Sequence, residues 1–460
     1  MKRTGLRTCR IHACRASGAA LNSLAAAAPE WLVSVADPEW YDRYAKRIED
    51  YRLPQSKEER KELAETIGRN GKMLLDAVYS ADAPFWLSQI PAVETLRQIW
   101  LHQYYIIEGE LKLRETKDLP PASCGRNEEN VKREAARYGY EEYCTDWNEL
   151  VNDDRIEVFD NCGPDDVHTE PCIAALKNGK NVICEKPFAL SVDDAKRMRD
   201  EANLAKGKAM CVFNYRFVPA VRWAKDLISE GRLGQIYHLR VNYLQMAGHD
   251  PSTPPHEVWY SGRSHSGIIQ GIGSHAIDQC RFLLGEIKSV SALVRTFNEA
   301  RAIPTIGCED AVADDGNAAL FEFENGAIGV TESSGVATGR KNFLSWEING
   351  SKGSLKWDLE HPNSLFACIE GLGDNSLLGF TEISVTENEH PYVSEWWPQG
   401  HNLGWEHCHI IEKFHFLDAV ANNKEMSPYI ATFEDGYRVA VIIDAMRKSS
   451  QSGQRIELRF

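Results

Sequence analysis

The sequence predicts an α/β fold, with a parallel sheet in the middle of the chain and a mainly antiparallel sheet towards its end. Three observations carry that prediction. Short apolar runs at 156–162, 181–184 and 209–214 have the length of buried parallel strands. Helical patterns separate them, as crossovers between parallel strands require. Beyond them, Asn325-Gly326, Asn349-Gly350 and Lys352-Gly353 punctuate strand-like stretches, as hairpin turns do.

The middle unit is the most informative. Its first strand, IEVFDNC, runs into Gly163-Pro164-Asp165-Asp166-Val167-His168. A helix over 169–178 follows, with Cys172, Ile173, Ala175 and Leu176 as its apolar face. Gly179 sits where a left-handed residue closes a helix. The next strand ends in Glu185-Lys186-Pro187, because proline has no N–H for the ladder. A lysine therefore stands at the carboxyl end of a strand, where open α/β sheets bind ligands. The competing reading is a strand-end cation with its head in water. A helix over 193–204, the strand AMCVFN and then Asn214-Tyr215-Arg216 put two more polar residues at the same edge, Arg216 reading otherwise as the cap of a carboxylate between domains.

On these residues, and above all Glu185-Lys186-Pro187, the chain resembles the Gfo/Idh/MocA family of nicotinamide-dependent oxidoreductases over 124–460. Within the family it looks most like members that oxidise glucosides and anhydrosugars. The resemblance implies NAD or NADP as cofactor and hydride transfer from a ring hydroxyl of a sugar or glycoside. It implies a Rossmann-like nucleotide-binding domain over 124–218 and an α/β substrate domain over 219–460, whose sheet is the family's oligomer surface. Cofactor contacts are expected from Gly163, Pro164, Asp165 and His168, and from Glu185, Lys186, Asn214 and Arg216. Arg126 and Asn127, at the end of an earlier strand, would meet the adenosine ribose. Arg126 would favour a 2′-phosphate or stack on adenine; a surface arginine before the helix 128–138 is the plainer reading.

The second motif is Gly271-Ile272-Gly273-Ser274-His275-Ala276-Ile277-Asp278, with an apolar helical face behind it and His275 at the start of that helix. An imidazole there can shuttle a hydroxyl proton near neutral pH. Alone, it reads more readily as a histidine hydrogen-bonded in the core. The family's sugar dehydrogenases carry D-x-G-x-H here, which makes Lys186 and His275 the expected catalytic pair. The aspartate position is Gly271, which can neither orient an imidazole nor hold a charge. Tyr243, Gln245, Trp259 and Arg263 join Lys186, Gly271 and His275 as expected substrate contacts.

The remaining features set limits. The net charge of −15 argues against a nucleic-acid or anionic-membrane surface. No apolar run approaches the ~20 residues of a membrane helix, and no signal peptide is expected. The 12 cysteines are scattered without a C-x-x-C pair, which fits reduced thiols in a cytoplasmic protein. His407 and His409 are two apart on a helix and face different ways, so no metal site is expected. Asp314-Asp315 reads as a solvated turn.

Residues 1–123 do not continue the pattern. They read as helical and aromatic-rich, and TGLRTCRIHACRASGAALNSLAAAAPEWL resembles part of a DDE-type transposase. No transposase chemistry is implied, and the basic start reads as a solvated tail. No G-x-G-x-x-G turn occurs where a central first strand and its helix would hold a pyrophosphate. Two alternatives to a straightforward dehydrogenase follow: a fusion product with a broken nucleotide domain, and a redox-assisted NAD-dependent glycosidase.

Overall fold

The computed structural model describes residues 122–138, 140, 142–252, 266–298, 304–305, 308–371 and 378–460. The helical, transposase-like reading of 1–121 lies outside them, as do Trp259 and Arg263. Two compact units divide the chain, Lys2–Thr145 and Asp146–Phe460.

In the first unit, β1 (Ala122–Cys124) pairs in parallel with β2 (Glu142–Cys144), Cys124 opposite Cys144. The connecting helix α1 (Glu128–Tyr138) buries Val131 and Ala135. The strand end at Cys124 and the helix at its boundaries are as expected, whereas the strand Glu142–Cys144 is not foreseen from the sequence.

The second unit opens with α2 (Trp147–Val151) and a parallel sheet of β3 (Val158–Asn161), β4 (Asn181–Cys184) and β5 (Ala209–Cys211), in that order. The crossovers are α3 (Thr169–Lys177) and α4 (Val192–Leu204). Gly179 closes α3 at φ 74°, and the Ser191 hydroxyl caps α4 by accepting from Asp194 N at 3.1 Å. α5 (Pro219–Ser229) starts on a proline, whose missing N–H is harmless in a first turn.

The larger sheet follows. β6 (Ile236–Leu244) lies at its centre, and a helical run ending in α6 (Ser274–Leu284) covers its inner face. Next come β7 (Ile287–Arg295) and a small pair, β8 (Pro304–Thr305) with β9 (Cys308–Val312). β10 (Gly316–Phe323), β11 (Ile328–Ser334), β12 (Phe343–Gly350), β13 (Gly353–Asp358), β14 (Ser364–Ile369) and β15 (Thr381–Ser384) complete the run of strands. α7 (Trp405–Ala421), α8 (Phe433–Ser452) and β16 (Ile456–Glu457) end the chain. The sheet has nine strands in the order β15-β14-β13-β12-β6-β11-β10-β7-β16, all antiparallel except β6 with β11.

Alternation decides its two faces. Leu239, Val241, Leu344, Trp346, Ile348, Leu355 and Trp357 are buried on one side, and Trp346 stacks on its cross-strand partner Trp357 at 6.0 Å. On the other side Leu293, Leu320, Ile328 and Val330 are exposed.

One hydrophobic core runs from Val151 to Met446. Cys211 N–H donates to Ala431 O at 2.9 Å, which ties β5 to the segment before α8. The final helix is thus part of the small parallel sheet's packing as well as the large sheet's.

Candidate active site

Lys186 stands just beyond β4 on a loop held from three sides. Glu185 N–H donates to Asn161 O at 2.9 Å, at the end of β3. The His168 ring bridges two carbonyls, Pro187 O at 2.9 Å from Nδ1 and Gly163 O at 3.0 Å from Nε2. Phe188 packs edge-on against Phe433, with centroids 4.7 Å apart. Gly436 permits that approach, because a Cβ there would lie 2.5 Å from the Phe188 ring. A loop fixed in this way pre-positions the amine.

Lys186 Nζ donates to Gly271 O at 3.1 Å. Burial lowers the lysine below its ordinary range, and Glu185 and Asp165 partly oppose the shift. Gly271 belongs to a π-helical turn, Ile269–Gly273, that runs directly into α6. His275 therefore lies inside a helical run beginning at Gly267, not at a helix start as the sequence suggests. Such wide turns are frequent at functional sites.

A buried carboxylate holds the beginning of that run. Asp314 accepts the Ile269 N–H at 3.1 and 3.2 Å, satisfying a donor that the first helical turn leaves free. Gly267 passes it at φ 78°, where a Cβ would lie 2.3 Å from the Asp314 side chain. Burial pushes the Asp314 carboxyl up to about 7, against the pull of Arg447. Asp315 Oδ2 accepts from Phe297 N and Asn298 N at 2.9 and 3.1 Å. The solvated turn expected of these two aspartates is thus wrong: both are buried, and backbone N–H groups draw them inward.

The His275 ring lies 4.6 Å from Tyr215, 5.8 Å from Phe213 and 6.1 Å from Tyr243. Burial pushes its pKa well down, and the charge of Lys186 and then of His409 adds to that. His275 is neutral at neutral pH and can accept a proton.

Beside it runs a hydrogen-bonded ladder whose polarity is fixed. Asn342 Oδ1 only accepts, and it takes Tyr243 OH at 2.9 Å and Gln245 Nε2 at 2.7 Å. Tyr243 has then spent its proton, so Tyr215 OH donates to it at 2.9 Å. Trp405 Nε1 donates to Tyr215 OH at 3.2 Å.

Several expected ligand contacts are otherwise employed. Arg216 is buried and donates through Nε to Asp278 at 3.0 and 3.1 Å, through Nη2 again to Asp278, and to Asp435 at 3.2 Å. The two carboxylates hold it charged against the burial that opposes charge. Its role is to tie the helix of His275 to α8, so it is not free for a cofactor. Asn214 Nδ2 donates to Cys408 Sγ at 3.1 Å, which pins α7. His168 is a loop staple, as described. Asn127 caps α1 by accepting from Asn130 N at 2.9 Å, and Arg126 is exposed, both in the first unit. Pro164 opens a short 3-10 turn, Asp165–Val167. Asp165 Oδ2 accepts from Ser266 Oγ at 2.8 Å, while its buried Oδ1 has no partner among the described residues.

The structure thus brings together Lys186, Gly271 and His275, with Tyr243 and Gln245 on the ladder beside them. Sequence reasoning missed Trp405, Asn342 and His409. His409 does face differently from His407: one ring meets Trp405, the other Trp396.

Comparison with known proteins agrees with this architecture. Residues 121–213 match the oxidoreductase family with an NAD-binding Rossmann fold, and 221–356 match the GFO/IDH/MocA C-terminal domain. Levoglucosan dehydrogenase of Pseudarthrobacter phenanthrenivorans is 34% identical over 340 residues, 70% of this chain and 85% of that protein. Inositol 2-dehydrogenase of Rhizobium meliloti is 30% identical over 327 residues, 70% of this chain and 87% of that protein. A solved levoglucosan dehydrogenase complex with NADH and levoglucosan has a TM-score of 0.68 at 33% identity, covering 74% of this chain and 90% of that one. The chain belongs to the Gfo/Idh/MocA oxidoreductase family. The transposase-like reading of 1–123 finds no support among these matches.

Proposed function

We propose that this protein oxidises a ring hydroxyl of a small carbohydrate, of the anhydrosugar or cyclic polyol kind, with NAD as hydride acceptor. The observation that carries the reading is the Lys186 amine, held at a strand's carboxyl end against the helical run that bears a neutral His275. The match to relatives that are levoglucosan and inositol dehydrogenases supports the substrate class.

The residues fit the nicotinamide end of the cofactor. The carboxyl ends of β3 and β4 converge there, and the unpartnered Asp165 Oδ1 is a buried acceptor that a carboxamide or ribose hydroxyl would satisfy. Gly163 and Glu185 would line that end. When bound, NAD supplies the hydride acceptor. The protein's part is proton handling. Lys186 hydrogen-bonds the reacting hydroxyl, and burial shifts its pKa downward, the direction that favours taking the proton. His275, already neutral, accepts the proton onward. Gly271 O orients the amine in place of a carboxylate.

Three further features belong to this reading. The protein is cytoplasmic, with its thiols reduced. It takes no nucleic acid, membrane or metal partner. It associates with copies of itself through the large sheet, whose Leu293, Leu320, Ile328 and Val330 form an exposed apolar face. The test is NADH formation from levoglucosan and myo-inositol by the full chain and by Lys186→Met. Turnover should fall at least about a hundredfold in the variant, the scale of general acid–base loss. Equal turnover removes Lys186 from the mechanism.

A further inference from the structure

His409 is a polar side chain that the structure leaves unused. Its Nε2 is buried and has no hydrogen-bond partner among the described residues. The ring is set by Trp405, one turn earlier on α7, with centroids 4.6 Å apart. That turn is itself fixed: Cys408 Sγ accepts from Asn214 Nδ2 at 3.1 Å and donates to Trp405 O at 2.9 Å. Trp405 Nε1 is engaged by Tyr215 OH, whose ring packs on His275. His409 is thus tied to the site through Trp405 and Tyr215, the ring that packs on His275.

Its electrostatics agree with that placement. Burial pushes His409 down to about 4, with Lys413 and Lys186 adding, and His409 in turn lowers His275. A neutral imidazole with one free nitrogen can donate to, or accept from, a hydroxyl. A buried polar atom without a partner is costly unless a ligand or water meets it. Carbohydrate rings carry hydroxyls on adjacent carbons. If Lys186 and His275 hold the reacting one, the next is the group within reach of a third side chain.

We infer that His409 binds the substrate hydroxyl next to the one oxidised, so that this site selects sugars with a free vicinal diol. The inference rests on the dehydrogenase reading above. It concerns recognition, and gives His409 no part in the hydride step.

The experiment compares the full chain with His409→Phe, which keeps a ring beside Trp405, and His409→Gln, which keeps a hydrogen-bonding group. The probes are levoglucosan and its monodeoxy analogues at each non-reacting ring hydroxyl, with NADH formation as readout. With levoglucosan, His409→Phe should raise KM about three- to tenfold, the scale of one hydrogen bond, with kcat little changed. His409→Gln should recover most of the loss. For one deoxy analogue, lacking the neighbouring hydroxyl, the wild type should already show the higher KM and His409→Phe should add nothing. An equal penalty on levoglucosan and every deoxy analogue overturns the inference, and so does no penalty at all. A wild type that forms no NADH from levoglucosan overturns the dehydrogenase reading and this inference with it.

Discussion

Glu412 offers a stability prediction whose size follows from its surroundings. It lies on α7, one turn beyond Cys408, fully buried, and neither carboxyl oxygen has a hydrogen-bond partner among the described residues. The Phe213 N–H nearby is already given to Cys211 O at 3.1 Å. Burial pushes the Glu412 carboxyl from 4.5 up to about 8, against Lys413 and with Glu185 adding to the rise. The folded state therefore keeps a proton that the unfolded chain releases above its ordinary value. Stability from this group is full at acid pH and is lost as pH rises through about 8, at roughly 1.4 kcal/mol per pH unit. By pH 7 the loss is about 3 kcal/mol, a large part of a domain's stability. Glu412→Gln keeps the shape and cannot ionise. The amide's own unmet hydrogen bonds shift the whole curve but not its slope. Urea unfolding of wild type and variant between about pH 5 and 8 reads the effect. The variant should gain on the wild type by about 3 kcal/mol across that range. Asp314 titrates in the same direction in both proteins and cancels. Parallel stability curves would refute the argument and mean that Glu412 is ionised or solvated in the fold.

Three other outcomes follow. Arg216→Ala leaves the buried Asp278 without its cation and should cost about 3–5 kcal/mol in urea unfolding, whereas a loss below about 1 kcal/mol would mean that Arg281 and water replace it. Gly271→Asp should raise turnover by giving His275 an orienting carboxylate, and the gain should vanish when His275→Ala is added; an equal gain in both means the aspartate acts otherwise. Exchanging 1–123 for a family-type strand, G-x-G-x-x-G turn, helix and strand should tighten NAD binding by roughly two to four powers of ten, the value of two charge-assisted pyrophosphate contacts, as read by calorimetric titration. Unchanged affinity would mean that 1–123 already supplies such a cradle.

Much of the fold is legible in the sequence because its signals are local. Strand length, helix caps and Asn-Gly turns set β3 to β5 and the hairpins to within a few residues. The Lys186 site is legible because a proline ends its strand. What the sequence hides is long-range pairing. Arg216 reads as a ligand residue because nothing local announces Asp278 and Asp435, 62 and 219 residues away. Asp314-Asp315 reads as a solvated turn because the N–H groups that bury it come from a helix start and a loop distant in sequence. His409 looks like half of a failed metal site until Trp405 and Asn214 fix its helix. The helical run of His275 begins about two turns earlier than expected because π geometry has no sequence signature.

In the proposed reaction a carbinol hydride passes directly from a carbohydrate ring to nicotinamide at the Lys186–His275 site. Levoglucosan deuterated at its oxidisable carbons, unlabelled NAD and mass spectrometry of the cofactor after turnover test that transfer. NADH should carry one deuterium, formed in step with oxidised sugar and lost with Lys186→Met. Hydrolysed or oxidised sugar without labelled NADH would contradict it, because the hydride would then have gone elsewhere or returned to the substrate.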